Sequence, residues 1–267
     1  MAHPHRMGIR RFGAVNWRGL MTLMRREVQR FLAVYMQTVL APIATAGLFM
    51  LVFSLAFGRD REGIGGTEFE VFLAPGILMM TVIQNAFANT SSSLIIAKVQ
   101  GNIVDTLMPP LSAGEILAGY VAGGAARGLI CAVVIGAVLF PIVGAGVAHP
   151  LWALWFAFAA SVMLSLIGLL AAIQAEKFDQ LAAVTNFVVT PLSFLSGTFY
   201  SIQTLPQTFQ DLSHVNPFFY LIDGFRYGTI GVSDSDPWTG FWVTLAMTAA
   251  LWAFTWRLLR VGYRLKS

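Results

Sequence analysis

Apolar residues along this 267-residue chain fall in long blocks, not in the alternation or narrow stripes of soluble domains. A helix needs about 20 mostly apolar residues to cross about 30 Å of hydrocarbon. Blocks of that size occur at Met36–Phe57, Phe72–Ala97, Ile116–Val143, Leu151–Ile173, Leu181–Phe199 and Phe241–Leu259. The pattern predicts an all-α integral membrane protein, a single transmembrane domain over residues 1–267 with six transmembrane helices. Residues 16–33 follow a different pattern. Trp17, Leu20, Leu23, Met24, Val28 and Phe31 recur at helical spacing, and Arg18, Arg25, Arg26 and Arg30 fill the other positions. That predicts an amphipathic helix with a basic face, lying along an anionic membrane surface.

One stretch fits neither a plain span nor a soluble loop. Val184–Gly231 is apolar, yet Pro191, Gly197, Pro206, Pro217, Gly224 and Gly228 interrupt it. Irregular backbone at membrane depth survives only where protein buries it or where it lines a path. The stretch therefore reads as a moving or path-lining part and not as a passive anchor.

Composition supports the membrane reading. The chain is 57% hydrophobic and 11% charged, against about a quarter charged in soluble proteins. The formal charge of +4 is no nucleic-acid footprint, because the basic residues gather at the two ends beside apolar blocks. The basic N-terminus resembles the flank of a secretion signal. However, the first block starts only near Met36 and has no small-residue cleavage pattern, so it is expected to be a retained span. With the N-terminus inside, the inner side holds Arg6, Arg10, Arg11, Arg18, Arg25, Arg26, Arg30, Lys98, Lys177, Arg257, Arg260, Arg264 and Lys266. The outer side holds only Arg59, Arg61 and Arg226. That bias predicts cytoplasmic N- and C-termini. Arg127, inside the third block, is left out, and its expected place is the cytoplasmic interface. The single cysteine, Cys131, reads as a buried packing residue, with no disulfide and no metal site.

Candidate chemistry lies in three places. The inner loop 98–112 can form about two helical turns at Asn102–Met108, stopped by Pro109 and Pro110. Ile103, Leu107 and Val104 would share one side, with Asn102 and Asp105 free for polar contacts. Such a helix can be a knob for a partner's groove or a connector resting on the bilayer. In the second block Asn85, Asn89 and Ser92 share one helical face, and Asn186 and Ser193 add polar positions to the fifth. Polar stripes of this kind bond to neighbouring helices or line a substrate route. Asp223 and Arg226, at i and i+3, suggest a local ion pair. Gly119, Gly123, Gly124 and Gly128 form small-xxx-small patterns that predict close helix packing. No GxxxxGK[ST], HExxH or GxSxG motif occurs, and the four histidines are scattered. The chain has no means of cradling ATP phosphates by itself and no nucleophile–base pair.

The runs GNIVDTLMPPLS, GYVAGGAARGL, TPLSFLSGTFYSIQTLP and NPFFYLIDGFRYGTIG resemble those of the ABC-2-type transporter permeases of bacterial inner membranes. The resemblance implies an interfacial N-terminal helix, six spans and a coupling helix built from Asn102, Ile103, Asp105 and Leu107. It also implies a re-entrant outer segment at 199–231, with Phe199, Tyr200, Pro217, Phe218, Asp223 and Arg226 as an outer gate. Asn85, Asn89, Ser92, Asn186 and Ser193 become the candidate substrate path. The implied partners are two copies of a separate ABC ATPase subunit, a second copy of this permease and membrane lipid, with no nucleic acid. No cofactor is expected on this chain itself; ATP and Mg belong to the ATPase. The expected function is export of a lipid-like, glycan or amphipathic substrate. An ion-coupled secondary transporter and a non-transporting membrane scaffold are the alternatives; the first needs intramembrane carboxylates, which the blocks do not display.

Overall fold

Two helices, Phe69–Val99 and Pro150–Gln174, lie at the centre and the rest pack around them. The computed structural model describes Gly13 and residues 15–57 and 67–264. Within those residues the chain is helical, with no strand. His3, His5, Arg6, Arg10, Arg11, Arg59, Arg61, Lys266 and the outer loop 58–66 lie outside the described residues.

In chain order the helices are α1 (Trp17–Leu32), α2 (Ala41–Phe57, entered through a π-helical turn at Met36–Leu40), α3 (Phe69–Val99), α4 (Ile103–Leu107), α5 (Ala113–Val143) and α6 (Pro150–Gln174). There follow α7 (Phe178–Val184), a π-helical turn at Thr185–Val189, α8 (Thr190–Phe194), α9 (Gln207–Val215), α10 (Pro217–Ile230) and α11 (Pro237–Val261). A 3₁₀ turn at Ile202–Thr204 precedes α9.

Among the described residues, five helices are long and apolar enough to cross a membrane: Met36–Ala56, Phe69–Val99, Ala113–Val143, Pro150–Gln174 and Pro237–Val261. The remaining expected span, Leu181–Phe199, is a jointed run of 7, 5 and 5 residues ending at Phe194. At 1.5 Å per residue that is about 25 Å, shorter than the other five. The apolar block continues past Phe194, but Gly197 takes φ +73° and turns the chain.

Local chemistry sets the helix ends. Asn16 Oδ1 accepts the Gly19 N–H at 3.0 Å and caps α1. Ser112 and Glu115 form a capping box at the start of α5, and the Glu115 carboxylate also accepts the Asn16 N–H at 2.5 Å. One glutamate thus ties the starts of α1 and α5 together. At the other end of α3, Lys98 Nζ donates to the carbonyls of Ala172, Ile173 and Ala175 at 3.1, 2.9 and 2.6 Å. Those carbonyls have no partner within α6, so the lysine closes that helix.

Helix α1 does more than rest on a surface. Leu20, Leu23, Glu27 and Phe31 are buried against the bundle, with α5 as the main partner, while Trp17 and Met21 stay exposed. The approach is close because α5 presents glycine: a Cβ at Gly119 would lie 2.4 Å from Leu23 Cδ2, and one at Gly123 2.4 Å from Glu27 Cβ. Gly119 and Gly123 therefore serve α1, while a Cβ at Gly124 or Gly128 would meet Ser165 or Ser161 of α6. Helix α5 starts at Ala113, so Arg127 sits about 21 Å along it at 1.5 Å per residue. The expectation that Arg127 marks the start of a span at the interface is corrected: the helix begins well before it.

Candidate functional site

The short helix α4 stands between α3 and α5. Ile103 and Thr106 face inward and are buried, Leu107 is half-buried against the same cluster, and Asn102, Val104, Asp105 and Met108 are exposed. The sequence grouped Ile103, Leu107 and Val104 on one side. In the fold Ile103 and Leu107 anchor α4 to the chain's own core, and Val104, Asp105 and Met108 form the outward surface. Arg26 of α1 donates to Thr106 Oγ1 at 3.2 Å and to the Tyr120 hydroxyl at 3.4 Å, which links α1 to α4. Burial works against the Arg26 charge, but Tyr120 and Glu27 beside it hold its pKa above the ordinary guanidinium value. A groove of about 460 Å³ opens between α1 and the α4–α5 connection, lined by Arg18, Thr22, Arg26, Asp105 and Pro109 among others.

A polar ladder runs inward from this end. Glu27, fully buried, accepts from Arg26 Nη2 at 3.2 Å, Arg30 Nε at 3.4 Å and Ser93 Oγ at 2.9 Å. Arg30 Nη2 donates to Asn89 O at 2.7 Å and Asn89 Oδ1 at 3.1 Å, and Nη1 to Ser92 Oγ at 3.2 Å. One turn further along α3, Asn85 Oδ1 accepts from Arg127 Nη2 at 2.7 Å and Nε at 3.2 Å. Asn85, Asn89 and Ser92 are thus brought together as the stripe suggested, each bonded to an arginine from another helix. Two elements of the ladder escaped the sequence reading. Arg30 and Arg127 approach the stripe across long sequence separations. Glu27, a fully buried acid, falls on the buried stripe Leu20–Leu23–Glu27–Phe31, and that periodicity was its signal.

Asn186 and Ser193 do not join this ladder. Asn186 is exposed on the π-helical turn beside Phe187, and Ser193 is buried with its hydroxyl donating to Val189 O at 2.7 Å.

The segment between α8 and α11 is organised by two charges. Asp223 and Arg226 of α10 are both 1% exposed and pair at 3.7 Å. The Asp223 carboxylate accepts the Asp234 N–H at 2.8 Å, the Ser235 N–H at 2.9 Å and the Ser235 hydroxyl at 2.8 Å. Arg226 Nη2 donates to Gly197 O at 2.6 Å, and its guanidinium lies 3.9 Å from the Phe72 ring centroid. Asp234 in turn accepts from Ser201 Oγ at 2.5 Å and Ile202 N at 2.9 Å. The loops at 197–202 and 231–236 are therefore pinned to α10 and α3. Phe199 is nearly buried and stacks on Phe53 of α2 at 4.4 Å, with Phe194 at 5.2 Å and Phe49 at 6.1 Å. Tyr200 donates its hydroxyl to Leu195 O at 3.2 Å. Pro217 opens α10 behind Asn216, whose side chain accepts the Phe218 N–H at 3.0 Å, and Phe218 is buried. Among the described residues no cluster of acidic, His or Cys side chains could hold a metal ion.

An all-helical subunit with five membrane-length helices, a short anchored helix between two of them and a pinned, broken segment before the last is a polytopic membrane protein. The family model "ABC-2 type transporter" matches residues 18–230, and the chain belongs to that family as its permease, a transport subunit without an ATPase domain of its own. It is 37% identical over 251 residues to the "Inner membrane transport permease YadH" of Escherichia coli K12, covering 94% of this chain and 98% of that protein. It is also 24% identical over 226 residues to "Nodulation protein J" of Rhizobium leguminosarum bv. viciae, covering 82% and 84% of the two chains.

Proposed function

We propose that this chain is the membrane half of an ATP-driven exporter in a bacterial inner membrane, working as two permeases with two ABC ATPase subunits. The jointed run α7–α8 serves as the sixth element of the span set, and α9–α10 as a re-entrant pair at the outer face. Both termini lie in the cytoplasm, in keeping with the basic residues of α1 and the end of α11. ATP and Mg bind on the ATPase.

The observation that carries this reading is α4. It is anchored by Ile103 and Thr106 while Val104, Asp105 and Met108 face outward. A helix held this way passes a push to whatever holds it: α1 through Arg26–Thr106, and the core shared by α3, α5 and α6 through Ile103. Closure of the ATPases would press α4, and the movement of α2, α3 and α7–α8 across the dimer would release the Phe53–Phe199 contact at the outer end. The open apolar faces of α2 (Leu48, Leu51, Leu55) and of the π-helical turn (Phe187, Val188) suit a second copy or lipid. The cargo class is lipid-like, glycan or amphipathic.

The test is co-purification with an ABC ATPase subunit co-expressed from the same genome, and ATP-driven transport. Val104→Glu and Asp105→Arg should reduce ATPase recovery by about tenfold or more, the scale of losing one central contact, while membrane insertion stays normal. Normal recovery together with normal transport in both variants sinks the reading.

A further inference from the structure

Arg127 lies near the middle of a 31-residue helix and has no acidic partner among the described residues. Its Nε and Nη2 both rest on one neutral oxygen, Asn85 Oδ1, and its Nη1 makes no hydrogen bond among the described residues. A neutral carbonyl does not cancel a guanidinium charge, and an uncompensated charge at membrane depth is costly. A second cation stands beside it. Arg30 is close enough to repel Arg127, and Arg30 shares its carboxylate, Glu27, with Arg26. Three arginines therefore face one glutamate along this ladder. Asn89 Nδ2, fully buried, is a further donor with no acceptor. The ladder can also be reached. Between Phe72 and Ile95, helix α3 is buried except at Gln84, Ala88 and Ser92, one face at i, i+4 and i+8. Arg30, with its side chain about a third exposed, bonds Ser92 on that face.

Excess positive charge, unspent donors and an open face share one place, and the geometry points to an anion-recognition site. We infer that Arg127 and Arg30 bind the phosphate or carboxylate headgroup of an amphipathic cargo whose chain lies in the membrane. The bound anion supplies the negative charge that the protein withholds. Arg127 offers its free Nη1, and Asn85 holds the guanidinium in a fixed orientation. This deepens the exporter reading and rests on it for the role of the bound molecule.

The experiment uses the full chain in a neutral maltoside detergent, with unfolding followed by tryptophan fluorescence. It is titrated separately with lysophosphatidic acid, lysophosphatidylcholine and inorganic phosphate. The expected result is a saturable rise in Tm with lysophosphatidic acid alone, and an affinity about tenfold or more weaker in Arg127→Gln, as for loss of a charged hydrogen bond. Asn85→Asp serves if Arg127→Gln fails to fold. It gives Arg127 a carboxylate, so it should raise Tm without ligand and abolish the response. An equal response to the zwitterionic lipid, or an undiminished response in the variants, overturns the inference. A response to inorganic phosphate as strong as to lysophosphatidic acid overturns the amphiphile assignment. Normal ATPase recovery together with normal transport in both α4 variants would overturn the exporter reading instead and leave these titrations unchanged, so the two failures separate.

Discussion

Asp223→Asn tests how the broken segment between α8 and α11 is held. The substitution keeps the shape of the side chain and removes its charge. Arg226, 1% exposed and paired only with Asp223 among the described residues, would then be a buried cation facing Phe72 and the Gly197 carbonyl. Removing one partner of a buried pair costs about 3–5 kcal/mol. The amide also turns a donor toward one of the Asp234 and Ser235 N–H groups, where the carboxylate accepted on both oxygens. At about 2–3 °C per kcal/mol for a chain of this size, Tm falls by about 6–15 °C. The chain carries its own reporter: Cys131, its single cysteine, is buried, so a fluorogenic maleimide reacts only as the bundle opens. Adding Arg226→Met removes the stranded charge and should recover about half of the loss, the remainder belonging to the hydrogen bonds. A Tm for Asp223→Asn within about 2 °C of the parent refutes the argument. So does a double variant no more stable than the single one.

Two further outcomes follow from packing. Gly123→Ala drives a Cβ to 2.4 Å from Glu27 Cβ, and the overpacking of about 1–3 kcal/mol should lower Tm by about 2–9 °C. Gly47→Ala, where nothing lies within 4 Å, should leave it unchanged in the same assay. Phe199→Ala empties the centre of the Phe49–Phe53–Phe194–Phe199 cluster and should cost about 3 kcal/mol. On the proposed mechanism it also lowers the transport obtained per ATP hydrolysed, measured in proteoliposomes.

Much of the scaffold was legible because membrane helices announce themselves one at a time. The apolar blocks from Met36, Phe72, Ile116, Leu151 and Phe241 each became a helix, extended by a few residues where capping groups such as Ser112 and Asp236 lie outside the block. Pro109 and Pro110 likewise marked the end of α4. The candidate site was only half legible. Hydropathy showed that Asn85, Asn89 and Ser92 share a face, but their partners Arg127 and Arg30 are 42 to 62 residues away in the chain. A polar stripe says that a partner exists and not which one. The side of α4 that faces outward was misplaced for a related reason: with five residues, the helix is too short for its periodicity to separate Ile103 from Val104. The links from Asp223 to Ser235 and from Asp234 to Ser201 join loops, where no periodic signal exists.

The jointed run α7–α8 and the loop after it solve the same backbone problem in opposite ways. The π-helical turn at Thr185–Val189 keeps its N–H and C=O groups joined, as in the bond from the Thr190 N–H to Thr185 O, and it can afford exposed neighbours such as Phe187. The stretch from Ser196 to Ile202 has no such regular ladder, and nearly all of it is buried under α3, α10 and their side chains. A membrane protein can therefore bend a helix in the open, but it must break one indoors. In this chain the joint is exposed and the break is sealed.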